Sequence, residues 1–281
     1  MTRAVTRPAL RYLGGKWKLA PWIISHFPPH RVYAEPFAGA ASVLLRKPRS
    51  QGECYNDLDG SVVNLFTVLR DADTRAALCQ QIALTPFARA EFDLAFEPAD
   101  DPIERARRLV VRSFMGHGSS SAVAEKSTGF RASLVNRGGA LPSGEWRTMP
   151  ESLARVGERL EGVLIENRPA LAIIDRYDLP DALIYLDPPY VPETRSQKRK
   201  GARLFHAYAH ELDYEGHEEL LDRILDADAM IVLSGYDNDL YNARLSAWSR
   251  FEIGTHTHGN QKRTEVLWSS PAAVEALGGL F

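Results

Sequence analysis

Ala182-Leu-Ile-Tyr-Leu186, directly followed by Asp187-Pro188-Pro189-Tyr190, is the stretch that decides the fold class. Five consecutive apolar residues predict a strand that is buried on both faces of a parallel sheet. The two prolines cannot continue a central strand, because each lacks a backbone donor and fixes φ. The strand therefore ends in a rigid turn at the carboxyl edge of an α/β sheet, where such folds bind ligands.

This turn brings three kinds of group to one place. Asp187 supplies a carboxylate, the turn supplies backbone carbonyls without a ladder partner, and Tyr190 supplies an aromatic face. Together they suit a planar group that donates hydrogen bonds and can be stacked upon, such as an exocyclic amine on a heterocycle. The alternative interpretation is a structural Asp-Pro turn with a packed tyrosine.

Short β-type runs alternate with helical patterns along the rest of the chain, which is typical of an α/β sheet. The last two runs enclose Gly259-Asn260 and predict an antiparallel hairpin that closes a mostly parallel sheet. Besides the strand above, the predicted strands are residues 31–34, 53–55, 162–166, 229–233, 251–257 and 263–269.

Residues 71–161 differ in character from the segments on either side. They include an Arg-rich helical pattern at 102–115 and a stretch rich in Ser, Gly and Arg at 127–144. Because a structureless loop of this length is improbable inside a compact domain, the region predicts an inserted, mainly helical subdomain. Residues 1–70 and 162–281 then form the main domain.

A second signal follows the first predicted strand, in Glu35-Pro-Phe37-Ala-Gly39-Ala-Ala41. A turn of small residues that leads into a helix lets backbone N–H groups approach a ligand closely. The spacing is not Gly-x-Gly-x-x-Gly, so it does not favour a dinucleotide pyrophosphate. Asp57 ends the second strand, where a carboxylate can accept hydrogen bonds from ribose hydroxyls. A plain tight turn is the alternative.

A third signal, Arg11-Tyr12-Leu-Gly-Gly-Lys16, lies near the start of the chain. Gly-Gly-Lys is compatible with phosphate binding, but the P-loop spacing and its following Ser or Thr are absent, since Lys16 precedes Trp17. The use of a nucleoside triphosphate is therefore disfavoured.

The composition is that of an ordinary globular protein. Of the 281 residues, 44% are apolar and 25% are charged, which excludes a disordered, collagen-like or disulfide-stapled chain. Cys54 and Cys79 cannot build a four-cysteine zinc site, and they fit a reducing compartment. No apolar run approaches the ~18 residues that span a bilayer, and no apolar signal core is evident, so we expect a cytoplasmic protein.

The formal net charge of −2 hides a strong segregation of charge along the chain. Residues 1–34 carry six Lys or Arg and no acid, and residues 102–210 carry a net +5. Residues 53–101 and 211–281 are acidic, with net charges of −7 and −8. A local basic face permits nucleic-acid binding by a nearly neutral protein, and a merely solvated face is the alternative.

Taken in order, these motifs resemble those of the Dam-type, D12 class of DNA adenine-N6 methyltransferases. The order of cofactor motif, long insert and Asp-Pro-Pro-Tyr is that of the alpha group, and the general likeness is to phage or prophage members. The resemblance rests on residues 11–16, 35–43, Asn56-Asp57-Leu-Asp59 with Asn64, and 187–190, and it extends to Leu233-Ser-Gly-Tyr236 and Arg263-Thr-Glu-Val-Leu267.

The resemblance implies a Rossmann-like class I methyltransferase sheet with an antiparallel last strand. Residues 1–70 and 162–281 are then the S-adenosylmethionine-binding catalytic domain, and residues 71–161 recognise the DNA target. The residues implied to bind the cofactor are Tyr12, Lys16, Glu35, Phe37, Gly39, Asp57 and Asp187. One departure is Ala41, where many relatives have a second glycine, so that less room is left for close backbone approach.

The implied reaction is site-specific transfer of a methyl group from S-adenosylmethionine to N6 of adenine in double-stranded DNA, after the base has been flipped out. The catalytic turn is Asp187, Pro188, Pro189 and Tyr190; Asp187 matches the catalytic acid, and Tyr190 matches the aromatic residue that stacks on the base. The residues expected to contact DNA are Arg105, Arg108, Arg112 and Arg131 in the insert and Lys198, Arg199, Lys200 and Arg203 after the turn.

No metal is expected, because His256 and His258 alternate on a predicted strand without a third ligand nearby. No membrane contact is expected either, and the oligomeric state, monomer or weak dimer, is left open. Within enzymes, the alternative is transfer to another planar amine: cytosine N4, RNA adenine or a protein glutamine. A different class is a non-catalytic DNA-binding regulator with a methyltransferase fold, which the intact Lys16, Asp57 and catalytic turn disfavour.

Overall fold

The structure is a computed structural model, and it describes residues 4–122, 127–133, 141–191, 212–256 and 262–278. The described residues include seven strands in one sheet, in the order β3-β2-β1-β4-β5-β7-β6. The strands are β1 Val32–Glu35, β2 Gly52–Asn56, β3 Leu164–Glu166, β4 Ala182–Leu186, β5 Met230–Tyr236, β6 Ser249–His256 and β7 Lys262–Ser269.

The pairing of the strands confirms the predicted fold class. β1 pairs in parallel with β2 and β4, and β4 pairs in parallel with β5. β7 is antiparallel to both β5 and β6, so the C-terminal hairpin supplies the antiparallel edge. This mostly parallel sheet with an antiparallel edge is the Rossmann-like arrangement that the resemblance implies. The Gly259-Asn260 turn lies outside the described residues.

The helices lie between and after these strands. They are α1 Ala20–Ile24, α2 Gly60–Arg70, α3 Ala72–Leu84, α4 Arg89–Leu94, α5 Pro102–Met115, α6 Pro142–Arg147, α7 Met149–Leu160, α8 Ala170–Arg176, α9 Tyr214–Leu225, α10 Asp239–Arg244 and α11 Pro271–Ala276, with a short 3₁₀ helix at Ser119–Ala122. The Arg-rich helix predicted at 102–115 is confirmed as α5, which Asp101 caps through the backbone N–H of Glu104.

The chain divides into two compact units. The first comprises Met1–Ala20, Gly39–Lys47 and Asp59–Asn167, and the second comprises Pro21–Ala38, Pro48–Leu58 and Arg168–Phe281. The first unit is mainly helical and contains α2 to α7. The predicted insert, residues 71–161, lies wholly inside it.

The second unit has an apolar core between its strands and three helices. Ile184 and Leu186 of β4 and Leu233 of β5 are fully buried in this core. The helices that cover them contribute Ile173 and Ile174 from α8, Leu220, Leu221 and Ile224 from α9, and Tyr241 from α10. Each such side chain stabilises the fold by about 1.5–3 kcal/mol, so the end of β4 is firmly placed.

β4 has the predicted bounds, whereas β5 is longer than predicted. The prediction ended β5 at residue 233, but the strand continues to Tyr236. The extension forms because Ser234, Gly235 and Tyr236 pair with β7 in an antiparallel register. The sequence does not indicate this pairing, because a serine and a glycine interrupt the apolar run. As a consequence, β5 extends past the end of β4 and carries the side chains of Ser234 and Tyr236 there.

A turn follows Glu35, as predicted, but the regular helix that this turn was predicted to lead into is wrong. Residues 39–46 form consecutive turns, in which the Leu45 and Lys47 N–H groups donate to the Ala41 and Val43 carbonyls at 2.9 Å. Gly39 and Ala41 have positive φ angles of 47° and 53°. A left-handed residue cannot continue a right-handed helix, so no regular helix can run through Gly39 and Ala41.

Candidate active site

The turn after β4 presents the catalytic residues that the sequence predicts. Asp187 is half-buried, Pro188 is buried and Tyr190 is half-buried, so the turn lies partly open to solvent. The carboxylate Oδ1 of Asp187 accepts a hydrogen bond of 3.0 Å from the Ser234 hydroxyl. The strand ladder explains this contact, because Leu186 pairs with Leu233 and the next residues of β4 and β5 are Asp187 and Ser234.

Ser234 also contacts a second hydroxyl. Its Oγ lies 2.8 Å from the Tyr185 hydroxyl, and both side chains are buried. The resemblance included Ser234 only as a letter of a matching stretch and gave it no role. A polar residue inside an apolar strand was the signal that could have marked it, since a buried hydroxyl needs a partner.

Tyr190 does not stand alone at the turn. Its ring stacks on that of Tyr236, with centroids 4.1 Å apart and planes inclined by 25°. Tyr236 comes from the part of β5 that the prediction did not include. The two rings border a small pocket in the second unit, which is lined by Pro188, Tyr190, Val191, Ser234, Gly235, Tyr236, Asn238 and Tyr241.

Tyr241 of α10 forms one wall of this pocket. Its hydroxyl lies 2.8 Å from Nδ1 of the buried His217 of α9. Burial, followed by the negative charge of Asp187, raises the pKa of the Tyr241 phenol. The phenol is therefore a neutral O–H group near the Asp187 carboxylate over the whole physiological pH range.

Glu35, at the end of β1, is a buried carboxylate that accepts a hydrogen bond of 2.6 Å from the Tyr33 hydroxyl. Burial is the main cause that raises the pKa of Tyr33, and the neighbouring Glu35 carboxylate raises it further. The neutral phenol therefore remains a donor to Glu35 at any working pH. Phe37 and Asp57, also predicted as cofactor residues, are half-buried in the same unit.

Asn56 holds the backbone that follows Glu35, a role that the sequence did not indicate. Its side-chain amide donates to the carbonyls of Pro36 at 2.8 Å and Arg168 at 3.0 Å, and its Oδ1 accepts from the Arg168 N–H at 2.9 Å. The Asn56 carbonyl accepts from Ala38 N–H at 2.9 Å. One buried side chain thus joins the segments that follow β1 and β3.

The first unit brings Tyr12 and Gly39 together. A Cβ atom on Gly39 would lie 2.9 Å from Cε1 of Tyr12, so the turn fits against the ring only because glycine stands there. Lys16 lies nearby in sequence and is 4% exposed. This cradle of small residues against an aromatic ring fits the close approach of backbone to a cofactor that the resemblance implies.

All four predicted DNA-contacting arginines of the described chain make contacts within the first unit. Arg108 pairs with Glu104 at 2.6 Å and donates to the Glu97 carbonyl at 2.7 Å. Arg131 pairs with Glu145 at 3.3 Å and donates to the Phe114 carbonyl at 3.0 Å.

The other two arginines of this set differ in exposure. Arg112 lies over the Phe96 ring at 5.8 Å, and burial lowers its pKa. Arg105 is exposed and donates to Oδ1 of Asn64 at 3.0 Å. Arg105 is therefore the most accessible cation of the four. The predicted contacts Lys198, Arg199, Lys200 and Arg203 lie outside the described residues.

Within the described ranges, His, Cys, Asp and Glu side chains form no group of three that could hold a metal ion. His258 is not among the described residues. No helix in the described part of the chain combines the length and the apolar character that a bilayer crossing requires.

The family model described as "D12 class N6 adenine-specific DNA methyltransferase" matches residues 12–257, which is most of the chain. The DNA adenine methylase of Escherichia coli strain K12 is 23% identical over 244 residues, covering 83% of this chain and 82% of the relative. The DNA adenine methylase of Escherichia coli O157:H7 matches with the same values.

Proposed function

The chain belongs to the D12 class of N6 adenine-specific DNA methyltransferases, and we propose that it transfers a methyl group from S-adenosylmethionine to N6 of adenine in double-stranded DNA. The observation that carries the proposal is the turn after β4, where the Asp187 carboxylate, the Pro188 carbonyl and the Tyr190 ring belong to one rigid segment. We further propose that the target adenine lies in a short recognition sequence and leaves the duplex before it reacts.

The position of the turn supports the proposed base flipping. An amine inside a stacked duplex cannot reach a carboxylate in a half-buried turn, so the nucleotide must rotate out at a cost of a few kcal/mol. Stacking of the base on Tyr190 offsets about 1–3 kcal/mol of this cost. Because Tyr190 and Tyr236 lie only 4.1 Å apart, a base between them would require the two rings to separate.

Asp187 makes the amine reactive. The lone pair of adenine N6 is delocalised into the ring, which makes N6 a poor nucleophile. If Asp187 and the Pro188 carbonyl accept the two amino hydrogens, N6 moves toward tetrahedral geometry and its lone pair becomes available. These hydrogen bonds strengthen as positive charge grows on N6, so they stabilise the transition state more than the bound substrate.

S-adenosylmethionine supplies a methyl group on a positively charged sulfur. The residues that we propose to hold it are Tyr12, Lys16 and Gly39 of the first unit and Glu35, Phe37, Asp57 and Asp187 of the second unit. The support in each unit is local: Gly39 leaves space beside the Tyr12 ring, and the Asn56 side chain holds the backbone between Glu35 and Ala38. No residue of this set requires a metal partner.

DNA binding is proposed for the basic side chains of the insert and of the segment after the catalytic turn. The insert, residues 71–161, is proposed as the target-recognition region, with Arg105 as its most accessible candidate. Lys198, Arg199, Lys200 and Arg203 complete the proposed set. A chromosomal or phage DNA substrate would place the enzyme in the cytoplasm of a bacterial or phage-infected cell.

Replacing the catalytic carboxylate tests the proposal. Asp187→Ala should lower methyl transfer to DNA by about 1,000-fold, because the amino group loses its acceptor in the transition state. The wild-type chain and the variant would be expressed in a host without DNA methylation, and modified bases would be mapped across its genome.

A matched control is Asp181→Ala, at the other end of β4. Asp181 forms an exposed ion pair of 3.1 Å with Arg31, so its loss should leave methylation unchanged. Full methylation by Asp187→Ala, or modification of cytosine in place of adenine, would contradict the proposed function. DNA binding without methylation by the wild-type chain would favour the non-catalytic regulator instead.

A further inference from the structure

Ser234 is a buried polar residue that the proposed mechanism does not yet use. It is 0% exposed and directly follows the apolar run Met230–Leu233 of β5. Its hydroxyl is 3.0 Å from Asp187 Oδ1, 2.8 Å from the Tyr185 hydroxyl and 3.4 Å from the Leu186 carbonyl. A buried hydroxyl with three polar contacts inside a strand indicates a specific structural role.

The hydroxyl hydrogens of Tyr185 and Ser234 each have a defined direction. A serine hydroxyl has one hydrogen, and an ionised carboxylate can only accept. The Ser234 hydrogen therefore points to the Asp187 carboxylate and not to the Leu186 carbonyl. The carboxylate is the closer acceptor, and its charge makes it the stronger one. In the contact between Ser234 and Tyr185, the hydrogen then comes from the tyrosine. The result is a chain of donors from Tyr185 to Ser234 to Asp187.

We propose that Ser234 is a positioning residue for methyl transfer, supported by the Tyr185 hydroxyl, and that its hydrogen bond sets the orientation of the Asp187 carboxylate. This proposal rests on the proposed function, in which Asp187 accepts an amino hydrogen of the target adenine. Ser234 acts through Asp187 and does not itself touch the substrate.

The backbone at this turn explains why such a hydrogen bond is needed. Pro188 and Pro189 fix φ at two positions after Asp187, and β4 fixes the chain before it, so the main chain is rigid. The remaining freedom is rotation of the Asp187 side chain. A hydrogen bond to Oδ1 holds that rotation, so that the same carboxylate oxygen always faces the amine. An enzyme gains rate from such preorganisation because no reorientation is needed in the transition state.

The test measures the single-turnover rate of methyl transfer with tritiated S-adenosylmethionine and unmethylated plasmid DNA. Ser234→Ala should slow this rate by about 10- to 100-fold, as expected for loss of a hydrogen bond to a charged group. The Kd values for cofactor and for DNA should change less than two-fold, because Ser234 is fully buried and the variant keeps the Asp187 carboxylate. Tyr185→Phe should slow the rate by about 2- to 10-fold, since it removes a neutral donor one step away.

The double variant distinguishes positioning from general damage. If Tyr185 acts through Ser234, Ser234→Ala/Tyr185→Phe should be no slower than Ser234→Ala alone, whereas independent effects would multiply. Ser269→Ala is the matched control. Ser269 is a fully buried serine in the neighbouring strand β7, its hydroxyl has no hydrogen-bond partner within the described chain, and its loss should leave the rate unchanged.

Asp187→Ala separates this inference from the proposed function. If Asp187→Ala abolishes methylation while Ser234→Ala keeps a rate within two-fold of wild type, the positioning role is overturned and the proposed function stands. Multiplying effects in the double variant, or a rate loss shared by Ser269→Ala, would also overturn it. If Asp187→Ala itself keeps full activity, the proposed function fails first.

Discussion

Ala41 adopts a positive φ of 53° in the turns that follow β1, and its side chain is fully buried. For a residue with a Cβ atom, this left-handed conformation costs about 1–2 kcal/mol. The sequence marked Ala41 as a departure, because many members of the family have glycine there. The backbone shows why glycine is favoured at this position, and why alanine is strained but still accommodated.

A comparison of two neighbouring alanines measures this strain. Ala40 is also buried, but its φ is not positive. Ala40→Gly should lower the free energy of unfolding by about 1–2 kcal/mol through the lost methyl group and the added chain entropy. Ala41→Gly should cost about 1 kcal/mol less than Ala40→Gly, because relief of strain offsets these losses. Urea denaturation of both variants measures the difference, and equal costs would show that Ala41 is not strained.

At the scale of elements, the site depends on segments that follow strands β1, β3, β4 and β5. β5 places Ser234 and Tyr236 beside the turn that follows β4 only because β5 pairs with β7 beyond the point where its apolar run ends. Asn56 has a similar role at the end of β2, where it joins the segments after β1 and β3. The contacts of these side chains depend on strand pairing and not on the secondary-structure propensity of each residue. A local sequence pattern therefore cannot predict them.

Removal of the Asn56 side chain tests that joining role. Asn56→Ala should lower the free energy of unfolding by about 3 kcal/mol, because it leaves the Pro36 and Arg168 carbonyls and the Arg168 N–H without their partner. Chemical denaturation monitored by circular dichroism gives the value. Asn64→Ala is a suitable control, since the side chain of the half-buried Asn64 makes only two hydrogen bonds within the described chain, both solvent-exposed, to the Pro102 carbonyl and from Arg105. A loss below 1 kcal/mol for Asn56→Ala would contradict the joining role.

At the scale of the whole molecule, charge decides how DNA is bound. Because acidic and basic segments nearly cancel, the attraction to DNA must be local. If at least four phosphate contacts form, DNA affinity should fall about 100-fold between roughly 50 and 200 mM salt. Fluorescence anisotropy titrations at several salt concentrations measure the slope of log Kd against log salt.

Two arginine variants test which side chains contribute to the slope of log Kd against log salt. Arg105→Ala should reduce it by about one, as expected for loss of one phosphate contact. Arg176, an exposed arginine near the Tyr177 ring, lies outside the proposed set, and Arg176→Ala should leave the slope unchanged. An affinity that does not depend on salt would contradict a phosphate-contacting basic face.

The sequence by itself determined the fold class, the end of β4 and the rigid turn that follows it, because buried apolar runs and prolines impose their structure locally. The tertiary structure alone decided which side chains meet them: Ser234 and Tyr236 reach Asp187 and Tyr190 through strand register, and Asn56 reaches Arg168 across 112 positions of the chain. It also showed that Arg108 and Arg131 form ion pairs within their own unit. Register and long-range pairing arise from packing between distant segments, which no local pattern encodes.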